Sequence, residues 1–591
     1  MVVHPLNFSN IGQFFSTPYQ TTVAFTIFPI MFAEVPTPLP IGISFFDRII
    51  EDGYYYVDKT LFIKALLDRK AAVTLCTRPR RFGKTLNQTM LKFFFENTAE
   101  FGGKDTRTLF KGLKIESTGE KYMEQQGKYP VIFLSFKEAK RNSFDFSYWQ
   151  LKDDIAHEFS RHYYVKEKIA KKENLELFEK LASGKGSIEE YSTSIKFLCE
   201  CLENYYGKKA VVLIDEYDVP LENSWVRGFY QEMIDFIRPL LSSAFKDNPF
   251  LELAVMTGCL RISRESIFTG LNNLDIISIL NKDYSEYFGF IQSEVDAMLK
   301  HYKMESKIQT VKDWYNGYIF GETEVYNPWS SIKVAREWLA DINELPKPHW
   351  VNTSSNDIIR KLIDKADSTA KEELEILIAG GTISKEIHED ITYDEIEKNV
   401  NNIWNFMFFT GYLKKVGSCS SEEGVLTLNL SVPNIELMYI YKTKIREWFN
   451  DYTSQRDLKT LFDAILGGDA EIFQSELSKL LAESISFYDS VENFYHGFMA
   501  GILSRLNEYR VKSNRESGDG RSDLILYGMD KAVMFELKVA KKAKEMPAEC
   551  EDALKQIEKN NYAAYWDDEG YTDILKYGVA FYKKKCTVRK G

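Results

Sequence analysis

Two groups of residues in this 591-residue chain have the types and spacing for phosphate chemistry. The first is Gly83-Lys84-Thr85, closing the stretch VTLCTRPRRFGKT, with Asp215-Glu216 further along. In a P-loop, backbone N–H groups and a helix N-terminus cradle phosphates, the Lys neutralises β/γ charge and the Thr hydroxyl reaches Mg²⁺. On that pattern Arg81, Gly83, Lys84 and Thr85 bind ATP, Thr85 and Asp215 hold Mg²⁺, and Glu216 polarises the attacking water. The second group is Asp523 with Glu536-x-Lys538. Two acids that hold Mg²⁺ and a Lys that positions the nucleophile are what metal-dependent phosphodiester cleavage requires. Glu492, on a helix ahead of them, can complete the metal shell, and Gln556 on the following helix is a supporting candidate.

Each group also has a plainer reading. The pattern G-x-x-x-x-G-K-[ST] asks for Gly where Arg78 stands, so the first turn of the loop must be made differently, and FGKT alone could open an ordinary surface helix. E-x-K recurs by chance in a chain with 27% charged residues. Its weight comes from two charges interrupting an otherwise buried run, which is costly unless they meet a metal or each other. A salt-bridged strand face in an inactive nuclease-like fold is the alternative.

The elements that must position these residues are legible as apolar runs. Val73–Thr77 followed by the periodic segment Leu86–Glu96 reads as strand, loop and helix, and AVVLIDEYDVPL (210–221) runs unbroken into its acids, which puts Asp215 at a strand's C-terminal end. Leu251–Met256 is a further strand ending at Thr257-Gly258. Strand ends at one edge of a parallel sheet converge on a ligand crevice, so Thr257 contacts the γ-phosphate or the water, while Arg261 or Arg264 serves as a finger or is simply solvated. YPVIFLSF (129–136) predicts a strand buried on both faces, and 144–171 and 175–206 carry helical patterns. LPIGISFFDRIIEDGYYYVDKT (39–60) reads as a short helix, a turn at Asp52-Gly53 and an aromatic strand, whose Tyr55 and Tyr56 either stack on a base or, the favoured reading, pack in a core. In KAVMFELKVA (531–540) strand alternation places Glu536 and Lys538 on one face and Phe535, Leu537 and Val539 on the other.

A chain of this length holds several cores, and 44% hydrophobic with 14% aromatic residues is the composition of globular domains. A net charge of −11 excludes global attraction to nucleic acid, so any such contact needs a local basic patch. Arg510, Lys512, Arg515, Arg521, Lys541, Lys542, Lys544, Lys583–Lys585 and Arg589 supply a candidate, or a solvated surface. The cysteines, at 76, 199, 201, 259, 419, 550 and 586, are odd in number and lack C-x-x-C pairs, so neither a disulfide framework nor a zinc site is indicated and a reducing, intracellular setting is expected, cytoplasmic or, in a eukaryote, nuclear. VAFTIFPIMFA (23–33) is interrupted by Pro29, is too short to span a membrane and has no Lys or Arg before it. No membrane association is expected, and residues 1–36 read as an extension.

At this point a family resemblance is specific. LPIGISFFDRIIEDGYYYVDKT, TRPRRFGKT, LIDEYDVPL and TGCLRISRESIFTGLNNL together resemble the bacterial and anaerobic-fungal AAA-ATPase-like proteins that carry a PD-(D/E)XK nuclease-like C-terminal domain. That family shows Arg where Arg78 stands, which makes the departure from the standard loop a family feature. The resemblance extends over nearly everything from Leu39 and implies nucleotide binding at Lys84, Thr85, Asp215 and Glu216. DWYNGYIFGETEVYNPWS, HWVNTSSND, IWNFMFFTGYLKK and LNLSVPNIEL are similar to segments of the same family, as are ENFYHGFMAGIL, SNRESGDGRSDLIL and VMFELKVA in its nuclease-like domain. Gly411-Tyr412, between an apolar helix and Val425–Val432, marks a helix plus hairpin as in winged-helix modules, and Trp314, Trp329 and Trp350 read as packing anchors at a domain junction.

The expected fold is therefore α/β throughout: a P-loop NTPase parallel sheet (37–280), a helical, winged-helix-like middle region (281–470) and a C-terminal restriction-endonuclease-like α/β domain (471–591). The expected function is an ATP-binding ATPase coupled to a Mg²⁺-dependent nuclease acting on nucleic acid, DNA ahead of RNA, with homo-oligomerisation open. The alternative is a nucleotide-dependent switch whose nuclease-like domain binds without cleaving.

Overall fold

The computed structural model describes residues 36–98, 105–261, 267–268, 272–350, 368–389, 393–396, 400–422, 425–443, 457–483, 492–506, 508–517, 520–528, 531–559, 571 and 573–591. All but the last residue of the expected extension, Arg264 and most of HWVNTSSND lie outside the described residues.

Two helices, α1 (Phe46–Glu51) and α2 (Leu61–Arg69), precede the first strand, β1 (Val73–Thr77), which delivers the chain to α3 (Lys84–Phe95). Four more strands complete a parallel sheet: β2 (Val131–Ser135), β3 (Ala210–Asp215), β4 (Leu251–Gly258) and β5 (Leu274–Ile277). Their order is β2-β3-β4-β1-β5. Every residue of β1 and β3 is buried, which is why both read as unbroken apolar runs: strands inside a parallel sheet have no solvent face. β2, expected to be covered on both faces, is an edge strand with Phe133 and Ser135 half-buried. The helical patterns resolve into α4 (Phe144–Arg161), α5 (Lys172–Ala182) and α6 (Ser194–Tyr206), followed after β3 by α7 (Val219–Arg227) and α8 (Tyr230–Phe245).

One expectation fails locally. Residues 54–57 form no strand. The five strands of the sheet are other segments, and Tyr55 N donates to Pro38 O at 2.9 Å. Tyr56 packs edge-on against Phe46, with centroids 5.5 Å apart, and its hydroxyl reaches Met90 Sδ, so this tyrosine is core material.

Beyond the sheet come a small hairpin, β6 (Tyr318–Phe320) and β7 (Thr323–Val325), and α9 (Pro328–Ala340). Asn327 caps α9 by accepting from Ser330 N at 3.2 Å, and Pro328 takes the first helical position, where its missing N–H costs nothing. A three-stranded antiparallel sheet follows, formed by β8 (Ile383–Ile387), β10 (Val425–Ser431) and β9 (Lys414–Glu422) in that order, with α10 (Val400–Phe409) leading into the hairpin. A helix followed by a hairpin thus stands at Gly411-Tyr412, where the sequence marks one. The main apolar cluster has members from Phe46 to Tyr441, while most of the buried residues between Phe290 and Trp338 form a second cluster, so the parallel sheet and much of this region share one core.

The C-terminal body has a five-stranded mixed sheet: β11 (Arg510–Ser517), β12 (Gly520–Tyr527), β13 (Lys531–Val539), β14 (Asp573–Tyr582) and β15 (Lys585–Lys590). Only the β13–β14 pair is parallel, crossed over by α12 (Met546–Lys559), while α11 (Glu492–Leu503) precedes the sheet. The core reaches back to Leu458, ahead of the expected start at 471. Val533, Phe535 and Leu537 enter this core, whereas Ala532 and Met534 line the opposite face, the face that carries Glu536 and Lys538.

Candidate functional sites

The parallel register fixes the first site. β1 pairs with β4 from Val73↔Ala254 to Thr77↔Gly258, and β4 pairs with β3 up to Ile214↔Met256, so the loop, Thr257 and Asp215 emerge side by side at the carboxyl edge. Thr85 Oγ1 donates to Asp215 Oδ2 at 2.7 Å and Thr257 Oγ1 donates to Oδ1 at 2.6 Å. Burial, and then the charge of Glu216, push the Asp215 carboxyl up to about 6, while the two hydroxyls and Lys84 hold it down. Lys84 Nζ donates to Arg78 O and Pro79 O, both at 3.0 Å, and lies 3.5 Å from Cys259 Sγ. Gly83 supplies the left-handed residue, φ +83°, on which the loop turns into α3.

Arg78 solves the turn that a glycine makes in the standard loop. Its side chain is fully buried and donates through Nη1 to Thr77 O (2.8 Å) and Ile277 O (2.9 Å) and through Nη2 to Asp283 O (3.4 Å). The guanidinium also lies 5.2 Å from the ring centroids of Phe288 and Phe320. Burial lowers its pKa to about 10, which leaves it charged at neutral pH. Other loop residues are held from the same side. Phe82 packs against Tyr318 and Phe320, Arg80 pairs with Glu222, and Arg81 lies over Trp329 with 4.4 Å to the ring centroid. Gly411 touches Pro79 so closely that a Cβ there would stand 2.9 Å from the proline Cβ. Trp350 crosses Tyr412 edge-on, directs its indole N–H at Arg80 O (3.5 Å) and donates its backbone N–H to the buried Glu436 (2.8 Å). Glu436 also accepts from Ser330 Oγ, and burial pushes its carboxyl up to about 7. Trp314 is a half-buried member of the neighbouring apolar cluster.

Sequence reasoning missed Asp218. This buried acid accepts from Cys259 N (2.7 Å) and Leu260 N (3.0 Å), tying the turn after β3 to the turn after β4, and burial raises it to about 6. Gly258 makes room for it: a Cβ there would meet the Tyr217 ring at 2.5 Å and Asp218 Oδ1 at 2.8 Å. The third acid of DEYD was the available signal. Glu216 leaves β3 in the left-handed region, φ +52°, and is half-buried. Arg261 is engaged elsewhere, its Nη1 donating to Glu389 Oε2 at 2.9 Å, and Glu389 also accepts from Ser278 Oγ.

In the C-terminal body the β12–β13 ladder ends at Leu524↔Phe535, and just past it Asp523 Oδ2 accepts the Leu537 N–H at 2.8 Å. A side chain thus replaces a strand partner where the two strands part. His496 Nε2 lies 2.8 Å from Asp523 O, which anchors the same residue to α11. Glu536 is 1% exposed and its Oε2 has no hydrogen-bond partner. Burial, then the Asp523 charge, raise its carboxyl to about 7. Lys538 Nζ sits 3.6 Å from Glu536 Oε1 and donates to Gln556 Oε1 at 2.8 Å. An unpaired buried carboxylate oxygen beside a second carboxylate is the donor chemistry a hard divalent cation takes. Among the described residues no three His, Cys, Asp or Glu side chains gather as metal ligands, and the Glu492 side chain lies outside them. Of the basic residues, Arg510, Lys541, Lys542 and Lys544 are exposed and Arg589 pairs with Glu551, whereas the side chains of Arg515 and Arg521 lie outside the described residues.

The sheet and its loop define a P-loop NTPase-type domain, and the C-terminal sheet a nuclease-like one. Residues 40–268 match the family described as Predicted AAA-ATPase, and residues 490–591 match the PD-(D/E)XK nuclease superfamily, so the chain carries an AAA-ATPase-like domain followed by a PD-(D/E)XK nuclease-superfamily domain. A protein of Azotobacter chroococcum mcd 1, described as an uncharacterized protein in the vnfD 5' region, is 26% identical over 572 residues, covering 93% of this chain and 97% of that protein. No helix among the described residues is long and apolar enough to cross a membrane.

Proposed function

We propose that the chain is an ATP-dependent, Mg²⁺-dependent nuclease in which ATP binding or hydrolysis gates cleavage of nucleic acid. The observation that carries the nucleotide half is the hydrogen bond joining Thr85 to Asp215, 130 residues apart, beside Lys84. Lys84 leaves the two loop carbonyls to neutralise the β- and γ-phosphates, and Gly83 and Arg81 line the cradle. Thr85 and Asp215 are the groups that would hold Mg²⁺, Glu216 orients the attacking water, and Thr257 fixes Asp215 or meets the terminal phosphate. Arg261 can join only by releasing Glu389.

The nuclease half is supported by the unpaired Glu536 oxygen next to Asp523. These two acids, with Glu492, would hold a divalent cation, which when bound activates water and steadies the leaving oxygen. Lys538, held by Gln556, orients the nucleophile, and His496 keeps Asp523 in place through its carbonyl oxygen. The test is incubation of the full chain with Mg²⁺ or Mn²⁺, ATP and a panel of DNA and RNA. Cleavage that requires ATP and disappears in folded Asp523→Ala and Lys538→Ala variants is the expected result. ATP binding without cleavage of any substrate overturns the nuclease reading and leaves a nucleotide switch.

A further inference from the structure

Arg81 stands in the left-handed region, φ +71°, a conformation that a bulky residue keeps only where its surroundings over-determine it. Its side chain is met from outside the matched AAA-ATPase segment. The guanidinium lies over the face of Trp329, at the first turn of α9. That indole is fixed in turn: its Nε1 donates to His349 O at 3.3 Å, and Lys333, one turn on, approaches the same ring at 5.2 Å. An aromatic face orients a planar guanidinium without neutralising it, as a carboxylate would, so the positive charge stays available to an anion. Burial works against that charge, and the opposing influence is the Glu216 carboxylate, which also acts on Lys84. Arg81 stands three residues before Lys84 in the loop that opens α3, so its charge lies at the phosphate loop.

We propose that Trp329 is a positioning residue that holds Arg81 against the terminal phosphate of a bound nucleoside triphosphate, so that the Arg81–Trp329 pair discriminates triphosphate from diphosphate. The proposal rests on the nucleotide-site reading above. A diphosphate lacks the group that Arg81 meets, and Trp329 reaches the nucleotide only through Arg81.

The test compares affinities of the full-length protein for a non-hydrolysable ATP analogue and for ADP, both with Mg²⁺, by calorimetric titration. Trp329→Leu should weaken the ATP analogue about three- to fivefold, the size of one exposed cation–π contact, and leave ADP unchanged. Arg81→Gly, whose residue accepts a left-handed backbone freely, should weaken the analogue about tenfold by removing a charge-assisted contact. The double variant should be no weaker than Arg81→Gly alone, because Trp329 acts through Arg81. Equal losses for both nucleotides, no loss for either, or additive losses in the double variant overturn the proposal. Should Trp329→Leu fail to melt as the wild type does, Arg81→Lys, which keeps the charge and loses the planar stack, carries the same comparison. Wild-type protein that binds neither nucleotide, or Lys84→Ala that binds as wild type does, sinks the nucleotide site itself. Wild-type binding lost in Lys84→Ala but untouched by Trp329→Leu and Arg81→Lys sinks only the role given to Trp329.

Discussion

The acids that would hold metal at the two candidate sites are treated in opposite ways. At the phosphate loop each carboxylate oxygen of Asp215 accepts from a threonine hydroxyl, and Lys84 has two carbonyl acceptors. At the nuclease-like site Glu536 keeps an oxygen with no partner, beside an acid that raises its pKa. A carboxylate satisfied by the protein can be rigid before its ligand arrives, whereas one with an orphaned buried oxygen is under tension until a cation or a proton relieves it.

The largest effect should break the pair apart functionally. Asp523→Ala or Lys538→Ala should lower metal-dependent cleavage by about a thousandfold with ATP affinity intact, and Lys84→Ala should abolish ATP binding with metal binding at the other site intact. Cleavage assays paired with nucleotide titration check this, and loss of both activities in either variant removes the distinction. Next in size, Arg78→Gly, which restores the standard loop pattern, should destabilise the protein by about 3 kcal/mol, because it opens a cavity and strips three carbonyls of their donor. Denaturant melts would read it, and a neutral result would refute the bracing role. Then the signs should differ: Asp215→Ala should cost about 2 kcal/mol by orphaning two hydroxyls, while Glu536→Leu should be neutral or stabilising in metal-free protein. A large loss in Glu536→Leu would show that Glu536 is already satisfied.

The smallest effect belongs to Glu436 behind the loop. Burial raises its carboxyl from 4.5 to about 7, so its contribution to stability is full below its unfolded pKa and is lost as pH rises through the folded one. Between about pH 6 and about pH 8 that loss is roughly 1 kcal/mol. The pH slope of the melting temperature should flatten by that amount in Glu436→Gln relative to wild type, and an unchanged slope would mean the group does not titrate there.

Much of this was legible in the chain. β1 and β3 announce themselves because a strand covered on both faces must be largely apolar, and Glu536-x-Lys538 because alternation along a strand puts both charges on one face. What could not be read depends on partners far away in sequence. Arg78 finds its acceptors at Ile277 and Asp283, Asp218 finds its donors at Cys259 and Leu260, and Trp329 looks like packing until Arg81 is seen above it. The missing aromatic strand at 54–57 is of the same kind, since composition favours a strand there but Tyr55 finds its backbone partner at Pro38.

The shared core from Phe46 to Tyr441 has a practical consequence for anyone who would work with a shorter piece. A fragment trimmed where the AAA-ATPase match stops, at residue 268, would lose β5 with Ile277 O, along with Asp283 O, Phe288, Tyr318 and Phe320. Arg78 and Phe82 would be stripped bare, and the excised domain would lose the shape of its phosphate cradle along with its solubility. The smallest piece that keeps the cradle whole runs on through Tyr441.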